Sequence, residues 1–237
     1  MSSLRDKESA MIHSHNWERS EHTLEDGFSY YYMVCRDCHE VRFPATQFQR
    51  LKDYSKDHLF LFVEEWILIL LYAGREFEGH EYIAGITLYQ KMLFLIFYEF
   101  APTHNIPTEN PGFYGYKYGP YSARIDKAID LLIQYGFIKT KNRRSSSTER
   151  FILTQNGIER GEEIFDKLSR DQQDALASFR KFWDQKKAKG ICKHIYANPK
   201  YKEFIRESII LSYLFPGREL HRMREEKIRW SQLKSES

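Results

Sequence analysis

Four residues near the start of the chain, His13, His15, Cys35 and Cys38, have the types and spacing that suit a metal ion. His13-Ser14-His15 and Cys35-Arg36-Asp37-Cys38 are separated by 19 residues, about the loop that a small zinc ribbon spans. Two residues between the thiols let a tight knuckle turn both sulfurs toward one tetrahedral ion. Tyr30-Tyr31-Tyr32-Met33-Val34 leads into that knuckle as a strand. His22 or His39 can replace either histidine, so the nitrogen half of the set stays open. Four protein ligands leave no position for water or substrate, and the expected role of zinc is therefore structural. Nothing resembling a βαβ unit surrounds the cysteines, which argues against a redox pair. With few aliphatic residues, the first fifty positions are expected to need the metal in order to fold.

A second group of residues suits polyanion binding. Between Tyr114 and Arg160 the chain carries nine lysines and arginines against four acids, although its overall net charge is only +3. Arg124 and Lys127 fall in the first turns of an expected helix, where they would project into a major groove. Arg143 and Arg144 sit at the tip of an expected hairpin, placed for phosphate or minor-groove contacts, with Lys139, Lys141 and Arg150 on its strands. Such binding weakens steeply with salt, because each phosphate neutralised releases counterions. Asp126 and Asp130 share the helix with Arg124 and Lys127, so intrahelical pairing on a solvated face competes with groove contact. Tyr114, Tyr116, Tyr118 and Tyr121 are read first as packing and second as an interaction surface.

The elements that must position these side chains follow from local chemistry. Gly119-Pro120 interrupts regular structure and Ser122 caps a helix whose apolar residues Ile125, Ala128, Ile129 and Leu132 recur at helical spacing. That helix stops at Tyr135-Gly136. Phe137–Lys141 and Glu149–Leu153 read as paired strands around the polar stretch Asn142–Thr148, and Thr154 caps a following helix that runs to Leu168. Upstream, helices are expected over Leu59–Tyr72 and after a cap at Thr87, with a loop over Arg75–Gly85. Helix, strand, turn, strand, helix in this order is the pattern of a winged helix-turn-helix. Downstream, Gln172–Lys187, Lys189–Tyr196 and Tyr201–Leu214 read as helices, the last two split by Pro199. Arg218–Ser237 reads as an exposed charged helix with Met223, Ile228 and Leu233 available to a partner.

Three separated stretches carry a resemblance to a known family. Gln90-Lys91-Met92-Leu93-Phe94-Leu95, Tyr116-Lys117-Tyr118-Gly119-Pro120-Tyr121-Ser122, and the helix ending in Tyr135-Gly136-Phe137-Ile138 resemble the YwgA-like winged-helix proteins, which are more distantly similar to SocA-type antitoxins. Ile195-Tyr196-Ala197-Asn198-Pro199-Lys200-Tyr201, with Ser208, is similar to the Tyr-x-x-Pro helix pair that closes that family. The resemblance covers Leu59 to Leu214 and implies the winged-helix fold; SocA-type relatives act through protein contacts. The N-terminal layout is similar to zinc ribbons that begin Cys-x-His-x-Trp and end Cys-x-x-Cys-Gly, with His13 standing where cysteine is common and His39 where glycine is common.

The expected fold is mainly α with small β: a winged helix-turn-helix core with extra C-terminal helices and a small N-terminal zinc ribbon. The corresponding segments are 1–50 for the ribbon, 58–168 for the core, 169–215 for the helical extension and 216–237 for the tail. A chain of 237 residues with 42% hydrophobic content can bury one substantial core and a satellite. Met1–Asn16 is polar, and the apolar run Leu59–Ala73 is broken by Glu64 and Glu65, so a cytoplasmic location is expected. Cys192 is expected to be an inert core thiol. The leading functional expectation is a sequence-specific transcriptional regulator that binds double-stranded DNA; palindromic sites would imply a homodimer. The alternative is a protein-interaction module of antitoxin or phage-defence type. An enzyme is not expected, since the chain has no Gly-rich phosphate loop, nucleophile elbow or paired-carboxylate motif.

Overall fold

The computed structural model describes residues 15–24, 26–37, 40–116, 118–142 and 148–205. The expectations placed on His13, Cys38, His39, Lys117, Arg143, Arg144, Ser208 and Arg218–Ser237 lie outside the described residues, as does most of the expected helix Tyr201–Leu214. Within them the chain is mainly helical with three small antiparallel sheets.

The N-terminal sheet is a meander of β1 (Trp17–Thr23), β2 (Ser29–Cys35) and β3 (Val41–Arg42). Helix α1 (Ala45–Asp57) packs on it through buried Leu51. Period-two alternation sends Tyr30 and Tyr32 of β2 inward. There they join Phe28, Phe43, Tyr54, Phe60 and Phe62 around a small aliphatic centre of Leu24, Val41 and Leu51. Aromatic rings thus supply the volume that the scarce aliphatics cannot, and the cluster runs past residue 50.

The body forms around α2 (Val63–Ala73) and α3 (Ile86–Leu95), both buried along almost their whole length. Expected to begin at Leu59, α2 starts instead at Val63. Leu59–Phe62 is extended because Leu61 bridges Thr108, its N–H donating to Pro107 O at 3.0 Å. Two carboxylates satisfy the orphan amides at the start of α2: Glu65 accepts from Phe62 N (3.0 Å) and Glu109 from Val63 N (3.1 Å). The expected loop Arg75–Gly85 contains a strand, β4 (Tyr82–Ala84), whose third residue is followed by Gly85 with φ +78°. Gly85, not Thr87, holds the cap position of α3.

After α3 a π turn (Ile96–Phe100) and one helical turn, α4 (Ala101–Thr103), lead to a hairpin of β5 (Tyr114–Tyr116) and β6 (Gly119–Tyr121). Gly119-Pro120 therefore lies in a short strand rather than in a simple break. Helix α5 (Ala123–Gln134) follows, its Ser122 hydroxyl accepting from Ile125 N at 3.4 Å. Next come β7 (Ile138–Lys141), β8 (Arg150–Leu153) and α6 (Gln155–Phe165), capped by Thr154, which accepts from Gly157 N. β4, β8 and β7 form one sheet in that order. Helix α7 (Arg170–Ala197) kinks at Lys187 (φ 56°), where the sequence separates two helices, and a 3₁₀ turn (Pro199–Phe204) ends the described chain.

Candidate functional site

The order of sheet pairing decides where the basic residues of the hairpin face. Lys139 pairs with Ile152, which pairs with Tyr82; Lys141 pairs with Arg150, which pairs with Ala84. Directly opposed residues share a face. The inner face is Ile138, Phe151, Ile83 and Leu153, all buried, so Lys139, Lys141 and Arg150 lie together on the outer face, exposed. Arg150 rests over the Tyr82 ring at 4.3 Å, which orients its guanidinium along the sheet. No acidic residue occupies the strands on this face.

Helix α5 is different. Its exposed stripe is Lys127, Asp130 and Gln134, which is balanced in charge. Arg124, expected in a groove, turns inward. It forms a fork with Glu64 (2.7 and 2.7 Å) and a second pair of bonds to Glu109 (2.8 and 3.2 Å). Burial opposes its charge, but the carboxylates of Glu109 and Glu64 outweigh that and raise its pKa above the ordinary guanidinium range. Burial pushes the Glu109 carboxyl upward, with Arg124 working against the push. With its donors committed to two carboxylates of the same chain, Arg124 is not placed to project into a groove as its sequence position led one to expect. Asp126 is committed too, accepting from Tyr121 Oη and Gln90 Nε2 at 2.6 Å each.

Gln90-Lys91, Gly119–Ser122 and Tyr196, from three of the stretches that carry the resemblance, meet in space. The Gln90 amide exchanges two bonds with the Ser122 backbone (2.9 and 3.0 Å), and Lys91 Nζ donates to Pro120 O at 2.5 Å. Lys91 is 2% exposed, and burial lowers its pKa to about 8. Gly119, at φ +86°, lies against Tyr196, where a Cβ would approach the ring to 2.8 Å. These residues fix the β5–β6 hairpin and the start of α5, so their role here is to join elements. The hairpin tyrosines also pack, Tyr114 on Tyr121 (5.5 Å) and Tyr116 on Tyr121 (5.1 Å), yet Tyr116 and Tyr118 remain exposed.

At the metal candidate, His15 and Cys35 come to the same end of the N-terminal sheet. Trp17 pairs with Cys35, Arg36 N donates to Asn16 O (2.9 Å), and Cys35 N donates to Glu40 O (2.9 Å), closing the knuckle. The His15 ring stacks on Trp17 (4.9 Å) with Nε2 3.6 Å from Glu40 Oε2. His22 sits five residues along β1 from Trp17, about 16 Å away, against Tyr30, and is thereby removed as a ligand alongside Cys35. Among the described residues no three His, Cys, Asp or Glu side chains group to hold a metal; Cys38, His13 and His39 are not among those residues.

Sequence reasoning missed Glu64 and Glu109 as partners of Arg124, because neither lies near it in the chain. Among the described residues no helix is long and apolar enough to cross a membrane. The chain matches no protein-family model, no curated protein and no solved structure.

Proposed function

We propose that this chain is a DNA-binding transcriptional regulator that acts by binding rather than turnover, using a winged helix built from α2, β4, α3, α5, β7 and β8. The order of these elements and the strand order β4–β8–β7 support that reading. So does the joining of α3 to α5 through Gln90 and Ser122, which holds the two helices in a fixed relation. The departure is residues 96–122, which stand where a short turn usually connects the two helices.

The observation that carries the proposal is the outer sheet face, with Lys139, Lys141 and Arg150 and no carboxylate in its strands. Three cations on one exposed face suit phosphate contacts, and Arg143 and Arg144 follow in the segment that joins the strands. Base reading in this arrangement falls to Lys127 and Gln134 on the exposed stripe of α5, since lysine suits guanine and glutamine suits adenine. Titration of a short duplex at low and moderate salt tests this. The Lys139→Ala/Lys141→Ala double variant is expected to bind about tenfold more weakly at low salt, with a log–log salt slope smaller by about two. Wild-type protein that binds no duplex at low salt would overturn the reading.

The second reading, a protein-interaction module of antitoxin or phage-defence type, draws on the charge balance of α5 and the exposed Tyr116 and Tyr118 beside it. A tyrosine-bearing surface with balanced charge suits a protein partner better than a polyanion. Salt-insensitive capture of a protein, unaffected by the double lysine variant, would favour it.

We further propose a structural zinc ion at the Cys35 end of the sheet, held by Cys35, Cys38, His15 and one of His13 or His39. When bound, zinc would supply a cross-link between the start of β1 and the knuckle. Metal analysis of the purified chain checks this: about one zinc per chain is expected, falling to near zero in Cys35→Ser and Cys38→Ser.

A further inference from the structure

A cleft of ≈ 810 Å³ lies where the N-terminal sheet and α1 meet the helical body. Its volume falls in the range of small-molecule sites. One wall is the loop Asn105–Pro111, held in place by the Leu61–Thr108 bridge and by Trp66 Nε1, which donates to Thr108 Oγ1 at 2.8 Å. Pro107 and Pro111 restrict that wall further, so it is formed before any ligand arrives. Tyr54 and His58 also line the cleft and belong to an aromatic stack, with His58 lying flat on Tyr54 (4.4 Å, 1°) and Phe28 on the far side of Tyr54 (4.2 Å). Phe97 and Tyr98 line the cleft as well, and Tyr98 is 41% exposed.

The charge of the lining is one-sided. Asp26 and Asp57 stand at the rim, and no lysine or arginine is among the described residues that line the cleft. Glu109 also lines it, but Arg124 holds that carboxylate. The hydrogen bond from Tyr54 Oη (2.6 Å) keeps Asp26 below the usual carboxylate range and therefore charged. Burial lowers the His22 pKa, so that ring adds no positive charge at neutral pH. Lys56, on the neighbouring turn, is bonded to Asp53 at 2.7 Å. Most other polar groups in the cleft are already paired: Thr108 with Trp66 and Leu61, Asn110 with Tyr32 and Gly112. A ligand therefore meets flat aromatic faces and two carboxylates, and few groups that require hydrogen bonds.

We propose that this cleft is a binding site for a flat lipophilic organic cation, such as an N-alkylated heteroaromatic. A delocalised positive charge over the partly exposed Tyr98 ring gains cation–π attraction, and the carboxylates at the rim oppose anions of the same shape. The site stands on its own geometry and does not depend on DNA binding.

Fluorescence anisotropy of the full chain with two dyes of related ring skeleton and opposite charge tests it. Rhodamine 6G, a cation, is expected to bind saturably, and fluorescein, an anion, at least about tenfold more weakly. Asp57→Asn and Tyr98→Ala are each expected to weaken rhodamine 6G about fivefold. Both positions are at the surface of the cleft, and circular dichroism and the melting temperature verify that each variant keeps the wild-type fold. Absence of saturable rhodamine 6G binding, equal binding of fluorescein, or affinity unchanged in both folded variants would each overturn the proposal.

Discussion

The N-terminal sheet and the helical body bury their cores with different material. The body is centred on aliphatic side chains of two nearly all-buried helices, Ile67 to Leu71 on α2 and Met92, Leu93, Leu95 and Ile96 across the end of α3, with rings such as Trp66 and Phe94 packed among them. The sheet has three buried aliphatics, Leu24, Val41 and Leu51, and closes around tyrosine and phenylalanine rings set edge to face and offset. Aliphatic cores gain from close packing, whereas aromatic ones gain in addition from ring geometry and, through tyrosine, place hydroxyl groups at their edges. Those hydroxyls are what tie the sheet to the body: Tyr32 Oη accepts from Asn110 Nδ2 (3.0 Å) and Tyr30 Oη donates to Thr108 O (3.4 Å). A core made of rings can thus be small and still dock.

Variants in the two regions and at their joint sharpen this contrast. The largest effect is expected at the ion cluster where α5 meets α2. Arg124→Ala leaves the fully buried Glu109 carboxylate without its cation and should destabilise the protein by about 3 kcal/mol in urea unfolding. A loss below about 0.5 kcal/mol would show that the cluster does not close the body. At the joint, Asn110→Ala removes the partner of Tyr32 and should cost about 1–2 kcal/mol. If the sheet and body unfold as one unit, tyrosine fluorescence and helix dichroism will shift together in that variant. If the sheet loosens first, only the fluorescence will move.

The smallest effect is a pH dependence peculiar to the body. Lys91 has its pKa lowered by burial to about 8, from an unfolded value of 10.5. Between those two values the unfolded chain binds more of the proton, so stability rises with pH; below pH 8 both states hold it and the dependence ends. Cys192, whose thiol burial pushes above 9.0, acts in the opposite sense from about pH 9 upward. The expected gain from pH 8 to 9 is about 1 kcal/mol. Lys91→Met should remove it, as read from melting temperatures across that interval.

Local signals were legible where one residue's chemistry acts within a turn or two. Ser122 and Thr154 cap the helices expected of them, Gly136 at φ +75° follows the end of α5, and the β7–β8 pairing lies where alternation places it. Signals from distant partners were not legible. β4 is three residues, Tyr-Ile-Ala, with no pattern of its own, and is a strand because β8 supplies its hydrogen bonds from far along the chain. Leu59–Phe62 reads as helix from its apolar content and is extended because Leu61 bonds to the loop at Pro107 and Glu109.

Among the candidate site residues the same division holds. The sequence alone determined that a basic hairpin exists and that its strands alternate, which is enough to put Lys139 and Lys141 on one face. Only the tertiary structure decided that Arg124 faces inward, because its orientation depends on Glu64 and Glu109, contributed by other segments. It likewise separated His22 from Cys35, by fixing a strand register, and brought Arg150 and Tyr82 together across the sheet. Periodicity reports which side of an element is buried; what a charged side chain meets there depends on elements that sequence spacing does not place.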